Sequence, residues 1–503
     1  MADNIKRLRE LLGLVSDLNN AAALLGWDQQ VYMPPGGAGA RAMQLATLST
    51  LAHENFVSDE MGAAIEAAKI EVKDSDPDSD EARLVRKAER DYQKEVKVPS
   101  SWVSEYSRIT AMAHQDWEQA RAESNFKRFQ PHLEKIVDLR RQYADFFKPY
   151  DHVYDPLIDD FEPGMKTEEV KSVFEKLRGR QVDLVQAILE DGKPVDDSLL
   201  HQHFDEQKQW GFGVKVIKAF GYDFKRGRQD KSVHPFTTGF GIDDVRITTR
   251  IDQDFLSTAL TGSMHEAGHA MYEQGVDKAL ERTPLANGAS LAMHESQSRM
   301  WENMVGRSKP FWQAYLPELK KVFPEQLGDV SLDDFYRAMN KVERTFIRVD
   351  ADEATYNLHV MLRFELEIAL MEGDLAVADL PGAWNEKFEA FLGVVPPNDT
   401  KGVLQDVHWS GGMIGYFPTY SLGNLIAAQL WEKIRSDIPD LDEQIAEAKF
   451  DVLLGWLREN IHRHGAKYEP LELLRKVTGQ DLEAEPYLQY LEQKYSDIYQ
   501  LSS

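Results

Sequence analysis

Two histidines four residues apart, with a glutamate directly after the first, are the residues best suited to do chemistry in this sequence. They are His265, Glu266 and His269, in the pattern H-E-x-x-H. Residues four apart lie on one face of an α-helix, so the two imidazoles can bind one zinc ion. Glu266 can then take a proton from metal-bound water. Apolar residues around the motif recur at helical spacing, which predicts a helix from about 252 to 274.

A third protein ligand is needed, because a catalytic zinc ion usually has three. Glu295, in the sequence His-Glu-Ser-Gln, follows His269 by 26 residues. Glycine, proline and asparagine residues between the two predict that the chain turns and returns as a second helix over about 289–306. An ion pair with Arg299, one helical turn further on, is the alternative role for Glu295.

Composition excludes several classes of protein. The chain has 503 residues, a formal net charge of −26 and no cysteine. Strong negative charge repels phosphate backbones, so we expect no nucleic-acid partner. The lack of cysteine excludes disulfides and cysteine-ligated zinc, and it is typical of the reducing cytoplasm. Since we find neither an apolar leader nor an apolar run of membrane-spanning length, we expect a cytoplasmic protein without a membrane partner.

Helical periodicity recurs along almost the whole chain. The predicted helices lie at 3–25, 39–54, 57–70, 80–97, 100–123, 131–147, 167–191, 197–220, 252–274, 289–306, 324–347, 351–373, 382–392, 421–436 and 440–464. The clearest β signal is a hairpin over 234–251, where apolar and polar residues alternate. A sheet edge beside a metal can hold an extended peptide, although a purely structural sheet would give the same pattern. We predict a single, mostly α-helical domain over 1–503, which a groove could divide into two lobes.

Four further motifs combine polar side chains at close spacing. They are His234-Pro235-Phe236, Asp244-x-Arg246-x-Thr248, Ile347 to Asp352 with Arg348, and Gly402 to Trp409 with His408, followed by a glycine-rich stretch that carries Tyr416 and Tyr420. Each motif alone also fits a structural role, as a surface ion pair, a solvated strand edge or packed tyrosines with satisfied hydroxyls.

Taken together, the motifs resemble the signature of the carboxypeptidase Taq family, the thermostable zinc carboxypeptidases. HPF, DxRxT, HExxH, HES(G)Q, I(V)RxxAD and GxxQDxHW all occur here in family order, and the resemblance covers nearly the whole chain. The resemblance implies a mostly α-helical body with a deep groove and a small sheet beside the metal site, similar to neurolysin and angiotensin-converting enzyme. It also implies a homodimer, and peptide substrates that lose single residues from a free carboxyl terminus.

The resemblance further implies a metal site made of His265, His269 and Glu295, with Glu266 as the catalytic base. We expect zinc, with cobalt as a substitute. In the expected reaction, zinc polarises the scissile carbonyl and activates water. Glu266 accepts the water proton and delivers it to the leaving amine.

The terminal carboxylate of the substrate needs a buried cationic partner, and arginine binds carboxylates through two parallel hydrogen bonds. Arg348 is our first choice for this role and Arg246 the second. The remaining candidates are His408 and Tyr420 for catalysis, and His234 and Tyr416 for substrate binding, with both tyrosines open as donors to the oxyanion.

Two other functions compete with this interpretation. An endo-acting oligopeptidase could use the same metal site, and the presence or absence of a carboxylate anchor would distinguish the two. A helical binding protein with a relict zinc site is the second alternative. Retention of Glu266 argues against it, because that residue is needed for turnover and not for holding metal.

Overall fold

Helices make up 68% of the chain, and a small three-stranded sheet accompanies them. The structure is a computed structural model that describes residues 2–501. This confirms the predicted fold class, mostly helical with a small sheet next to the H-E-x-x-H helix. Within residues 2–501, we find no helix with the length and apolar character that a membrane span requires.

The helices that precede the sheet form the first half of the molecule. They are α1 (Ala2–Val31), α2 (Ala38–Phe56), α3 (Asp59–Val72), α4 (Asp80–Lys97), α5 (Ser100–Glu123), α6 (Phe126–Asp145), α7 (Asp155–Ile158), α8 (Thr167–Glu190) and α9 (Glu206–Phe220).

The sheet has three strands in the order β1-β3-β2. The strands are β1 (Gln229–Lys231), β2 (Thr237–Gly239) and β3 (Val245–Thr249). β2 pairs with β3 antiparallel, as the predicted hairpin requires, and it forms one edge of the sheet. β1 pairs with β3 in parallel. The sequence did not predict β1, because its three polar residues, Gln-Asp-Lys, give no apolar alternation.

The helices that follow the sheet surround the H-E-x-x-H motif. They are α10 (Ser257–Gly275), α11 (Leu291–Arg299), α12 (Lys309–Val322), α13 (Pro324–Leu327), α14 (Leu332–Met339), α15 (Glu353–Glu372), α16 (Leu380–Leu392), α17 (Pro418–Asp437), α18 (Leu441–Ala446), α19 (Asp451–Asn460), α20 (Pro470–Thr478) and α21 (Glu485–Tyr499). A π-helical segment, Met300–Val305, continues directly from α11.

Two apolar cores hold these helices together. The larger core runs from Trp102 in α5 to Tyr499 in α21. The smaller core joins Leu8 and Leu12 of α1 to α3 and α4, and it also takes in Ile242 of the hairpin turn. Val276, Leu280 and Leu285, which follow α10, complete it. The amino-terminal helices therefore pack against the two segments that flank the H-E-x-x-H helix.

Several predicted helix boundaries are wrong, each for a local reason. α1 continues to Val31 because Trp27, expected in a loop, is buried at 5% exposure. α6 begins at Phe126, before Pro131, because Phe126 and Phe129 are both core residues. The helix predicted at 324–347 is α13 and α14, and residues 340–347 are not helical. The helix predicted at 440–464 is two short helices, and α12, α20 and α21 were not predicted.

Candidate active site

Helices α10 and α11 approach each other closely enough to bring their polar residues together. Gly268, inside the H-E-x-x-H motif, makes this possible: a Cβ there would lie 2.6 Å from the Cα of Ser298. On the other side of α11, a Cβ at Gly423 of α17 would lie 2.7 Å from the Cβ of Glu295. Glycine at both positions allows three helix backbones to pack around one point.

Three potential ligand atoms meet where α10 and α11 face each other. His265, His269 and Glu295 each offer one atom, and all of these lie within 4.8 Å of one another. Oε2 of Glu295 is 3.5 Å from Nε2 of His265 and 3.3 Å from Nε2 of His269. In a tetrahedral zinc site with bonds of about 2.0–2.1 Å, ligand atoms are about 3.3 Å apart. The set of two imidazoles and one carboxylate therefore fits a zinc ion.

The other polar atoms of these three residues are already bound. Oε1 of Glu295 accepts a hydrogen bond of 2.7 Å from Nε of Arg299. Both suggested roles of Glu295 are therefore compatible, since the ion pair with Arg299 uses one oxygen and leaves the other facing the histidines. Nδ1 of His265 lies 2.9 Å from Oε2 of Glu302, so its Nε2 is the nitrogen that faces Glu295.

Glu302 is held among cations in the π-helical segment Met300–Val305. Arg299 and Arg307 lie within 3.3 and 3.5 Å of its carboxylate, in addition to His265. Burial raises the pKa of Glu302, but these positive neighbours outweigh burial and lower the pKa to about 2. A stable carboxylate behind the imidazole fixes the ring and increases its basicity as a ligand. Single-turn π segments are common at functional sites.

His269 is supported through a second imidazole. Its Nδ1 lies 2.6 Å from Nδ1 of His294, and Nε2 of His294 lies 3.3 Å from Oε1 of Glu273. The two histidines of the motif therefore have different partners, a carboxylate for His265 and an imidazole for His269. Both arrangements leave Nε2 directed toward Glu295.

The side chain of Glu266, on α10, reaches the edge strand β2 of the sheet. Its Oε2 accepts a hydrogen bond of 2.7 Å from the hydroxyl of Thr237 in β2. Burial raises the pKa of Glu266 above its ordinary value of 4.5. A carboxyl with a raised pKa can accept a proton and return it near neutral pH. The edge strand thus both positions this residue and borders the space beside it.

Arg348 lies in a buried cluster of charged residues and is only 4% exposed. Its Nε and Nη2 donate to Oδ1 of Asp406 at 3.1 and 2.9 Å. Its Nη1 donates to the hydroxyl of Tyr356 at 2.8 Å. A guanidinium has five N–H groups, so two remain after these three bonds. The structure places Asp352 at the amino terminus of α15, where its carboxylate accepts from Ala354, so it does not pair with Arg348.

His408, Tyr416 and Tyr420 are brought together beside Arg348. Nε2 of His408 lies 3.2 Å from the hydroxyl of Tyr420, and the ring of Tyr420 lies 4.7 Å from the Arg348 guanidinium. The rings of Tyr416 and Tyr420 are 5.3 Å apart. Burial lowers the pKa of His408 to about 4, so the imidazole is neutral at pH 7.

Arg246, predicted to bind substrate, is half-buried, and His234, with the same predicted role, is exposed. Arg246 donates to Asp244 at 2.8 and 2.9 Å, and its guanidinium lies between the rings of Trp27 and Phe240 at 4.5 and 4.9 Å. These contacts attach α1 to the sheet. His234 is exposed in the segment before β2.

Sequence reasoning gave no role to several residues that complete the site. They are Thr237, Glu302, Tyr356, Arg363 and Asp406. Asp406 stands in the quoted motif GxxQDxHW, and Glu302 is seven residues after Glu295 and so on the same helical face. Those two could have been found. Nothing local marks Tyr356 or Arg363, because their partners come from elsewhere in the chain.

A cavity of about 780 Å³ lies between the amino-terminal helices and the segments that flank α10, and its lining does not include His265, Glu266, His269 or Glu295. Gly239, Ile242 and Glu273 line one wall of it, and residues of α1, α2 and α4 line another. Glu273 joins the cavity wall to His294 and so to His269.

Comparison with known proteins shows the family to which the chain belongs. The chain matches the carboxypeptidase Taq (M32) metallopeptidase family over residues 7–495. It is 41% identical over 491 residues to thermostable carboxypeptidase 1 of Thermus thermophilus, covering 96% of each chain. It is 38% identical to carboxypeptidase 1 of Bacillus subtilis, covering 99% of each chain. Its structure is similar to the crystal structure of the M32 carboxypeptidase of Deinococcus radiodurans R1, with a TM-score of 0.96, 44% identity and 99% of each chain covered.

Proposed function

The chain belongs to the carboxypeptidase Taq metallopeptidases and is a metallocarboxypeptidase, and we propose that it uses zinc to release single amino acids from the carboxyl terminus of peptides. The observation that carries the proposal is the meeting of His265, His269 and Glu295 within 4.8 Å, directly beside Glu266. A structural site would need a fourth protein ligand, whereas three ligands leave one position open for chemistry.

Zinc bound by these three residues would polarise the scissile carbonyl and lower the pKa of its bound water to about 7. Glu266 takes the proton from the attacking water and gives it to the leaving amine. Thr237 holds one Glu266 oxygen, which fixes the direction of that transfer. Cobalt could replace zinc, because the same imidazole and carboxylate donors bind both ions.

Tyr420 and His408 are the proposed donors to the oxyanion. The Tyr420 hydroxyl and His408 Nε2 are 3.2 Å apart, and a hydrogen bond between them fixes the orientation of both side chains. Burial raises the pKa of Tyr420 well above its ordinary value of 10.0, so it remains a protonated donor during turnover. Tyr416, whose ring is next to Tyr420, lines the same space and is proposed to contact substrate.

Arg348 is the proposed partner of the substrate's terminal carboxylate. Its two uncommitted N–H groups can form a fork toward a carboxylate. A carboxylate that reaches Arg348 must displace the stacked Tyr420 ring or lie against its edge, since Arg348 has little exposed surface. The approach to the anchor is therefore narrow, which favours a chain end over the middle of a peptide. Arg246, committed to Asp244 and two aromatic rings, is the weaker candidate.

The test compares one peptide in its free-acid and amide forms, with products identified by mass. We expect the wild type to cleave the acid by single-residue steps and to lose on the order of 2–5 kcal/mol in kcat/KM on the amide. Arg348→Ala should lose a similar amount on the acid and little more on the amide. Equal cleavage of both forms, or cleavage at internal bonds, would favour the endo-acting alternative and contradict the proposed role of Arg348 as carboxylate anchor.

We also propose that the protein is a homodimer, because its family resemblance implies one. Light scattering should then give twice the single-chain mass of 57.4 kDa at micromolar concentration. A mass near 57.4 kDa would contradict the proposal. The proposal that residues 1–503 form one domain with two lobes predicts a single cooperative unfolding transition.

A further inference from the structure

A second buried arginine stands behind the proposed carboxylate anchor. Arg363 of α15 has no exposed surface, and its Nε donates to Oδ2 of Asp406 at 2.6 Å. Asp406 uses its other oxygen, Oδ1, for Arg348. Asp406 is therefore paired with both arginines, in the order Arg348–Asp406–Arg363. We propose that Arg363 is a positioning residue that sets the enzyme's preference for a free terminal carboxylate by neutralising Asp406.

The argument begins with the charge of the cluster. An arginine paired with one aspartate has no net charge, and such a pair attracts an incoming carboxylate only weakly. Adding Arg363 gives two positive charges against one negative charge, so one positive charge remains for the substrate. Burial makes this difference large, because charges in a protein interior are screened much less than charges in water.

Other ionisable groups near the cluster do not supply this charge. Burial lowers the pKa of His408 to about 4, and burial holds the pKa of His359 well below its ordinary value. Both imidazoles are therefore neutral at pH 7. Arg299 is already paired with Glu295 at 2.7 Å. The net positive charge of this region thus depends on Arg363.

Burial, with Arg348, lowers the pKa of Arg363 below its ordinary value of 12.5 and Asp406 opposes them, but an arginine keeps its charge inside a protein. The Arg363 guanidinium lies over the ring of Trp384 at 4.6 Å and near the ring of Phe417 at 5.4 Å. It also donates to the backbone carbonyl of His359. A buried ion pair is expensive to desolvate, and an apolar pair of similar volume is often as stable. A buried cluster of two arginines and one aspartate is therefore poorly explained by stability alone, but its net positive charge suits the binding of an anion.

Asp406 lies between the two arginines and binds one with each of its carboxylate oxygens. Burial raises its pKa, but the guanidiniums of Arg348 and Arg363 outweigh burial, and the pKa lies well below its ordinary value of 3.8. The carboxylate therefore stays ionised throughout the working range of the enzyme. Titration of Asp406 therefore cannot change the preference for a free terminal carboxylate within that pH range.

This inference rests on the proposed carboxypeptidase function, and the test separates the two. The measured quantity is the ratio of kcat/KM for one peptide as free acid to that for the same peptide as amide. The variants are Arg363→Met, Arg363→Lys, Asp406→Asn and the double variant Arg363→Met/Asp406→Asn. Zinc content and circular dichroism of each variant establish that it is folded and loaded.

Arg363→Met removes the extra positive charge, and the acid-to-amide ratio should fall about tenfold. Arg363→Lys keeps the charge and should retain most of the ratio. The double variant again has one net positive charge, on Arg348, and should recover the ratio to near the wild-type value. Asp406→Asn alone should not lower it. A purely structural role predicts the opposite for the double variant, because each change would add to the damage and affect both peptides equally.

Three outcomes would overturn the inference. A high wild-type ratio that Arg363→Met leaves unchanged would overturn this inference while leaving the anchor in place. If Arg363→Met does not fold, a reduced ratio in Asp406→Asn would contradict the charge argument. A wild-type ratio near one would overturn the carboxylate anchor and this inference together.

Discussion

The hydroxyl of Tyr356 accepts a hydrogen bond of 2.8 Å from Nη1 of Arg348. The face of the same ring lies 4.4 Å from the guanidinium of Arg299, which binds the metal-ligand candidate Glu295. One aromatic side chain thus links the proposed carboxylate anchor to the proposed metal centre. Tyr356 therefore helps to fix the distance between the proposed anchor and the proposed metal centre.

Tyr356→Phe should therefore impair turnover without removing metal. The substitution leaves a buried arginine N–H without its acceptor, which costs on the order of 1–3 kcal/mol. We expect kcat/KM for free-acid peptides to fall by about tenfold or more. Zinc content should stay at the wild-type level, because the ring that carries Arg299 is retained. Tyr495→Phe, which removes a buried hydroxyl bound to Glu353, is the matched control and should keep full activity.

Two substitutions distinguish binding of metal from chemistry. Glu295→Ala should lose zinc, because two imidazoles alone hold the ion weakly. Glu266→Gln should keep zinc and lose turnover, because an amide cannot take the proton from water. Elemental analysis after dialysis, together with a peptidase assay, measures both effects. Full zinc and activity in Glu295→Ala would show that the third ligand lies elsewhere.

Glu302 should control how tightly zinc is held. Glu302→Gln replaces the carboxylate behind His265 by a neutral amide, and outer partners of this kind change metal affinity by about 10–100-fold. Competition with a chelator measures the affinity directly, without an activity assay. Glu318→Gln, whose carboxylate pairs with Lys215 on the surface, is the control. Equal affinities in both variants and the wild type would exclude this role for Glu302.

Glu162 should make stability depend on pH. Its carboxyl is fully buried, and burial raises its pKa from 4.5 to about 8. Its Oε1 accepts the backbone N–H of Ala292 at the start of α11, and this bond lowers the pKa less than burial raises it. Below pH 4.5, the folded and unfolded chains both hold this proton. Between pH 4.5 and about 8 only the folded chain holds it, so stability falls as pH rises.

Glu162→Gln removes this titration, while its amide oxygen can still accept from Ala292. Relative to the wild type, the variant should gain on the order of 4 kcal/mol in unfolding free energy between pH 4.5 and 8. Urea titrations of both proteins at several pH values provide the comparison. Parallel pH profiles would mean that Glu162 titrates normally in the folded protein.

Local patterns in the sequence predicted the parts of the site that depend on helical spacing. His265 and His269 lie one turn apart on α10, and Glu295 was predicted from its place on a second helix together with the resemblance to the family's motifs. The small sheet was predicted from the alternation in β3 alone. These features require only the chain within one or two elements, where periodicity determines which side chains share a face.

Contacts between distant segments were beyond that reasoning. Arg363 and Asp406 are 43 residues apart, and neither periodicity nor a motif brings them together. Arg246 was the second choice for the carboxylate partner because of its DxRxT motif, and its contact with Trp27, at the far end of α1, could not be foreseen. The same cause explains the missed extension of α1, since Trp27 becomes a helical core residue only when the sheet covers it.

The smaller apolar core has a consequence for synthesis of the chain on the ribosome. Leu8 and Leu12 are made early, whereas their partners Ile242, Val276 and Leu285 emerge more than two hundred residues later. At about 5–20 residues per second, the delay between Leu8 and Leu285 is on the order of 15–55 seconds. During that time the first helices expose apolar surface that only later segments can cover. We therefore expect chaperones to cover this apolar surface on nascent chains until the loop after α10 has left the exit tunnel.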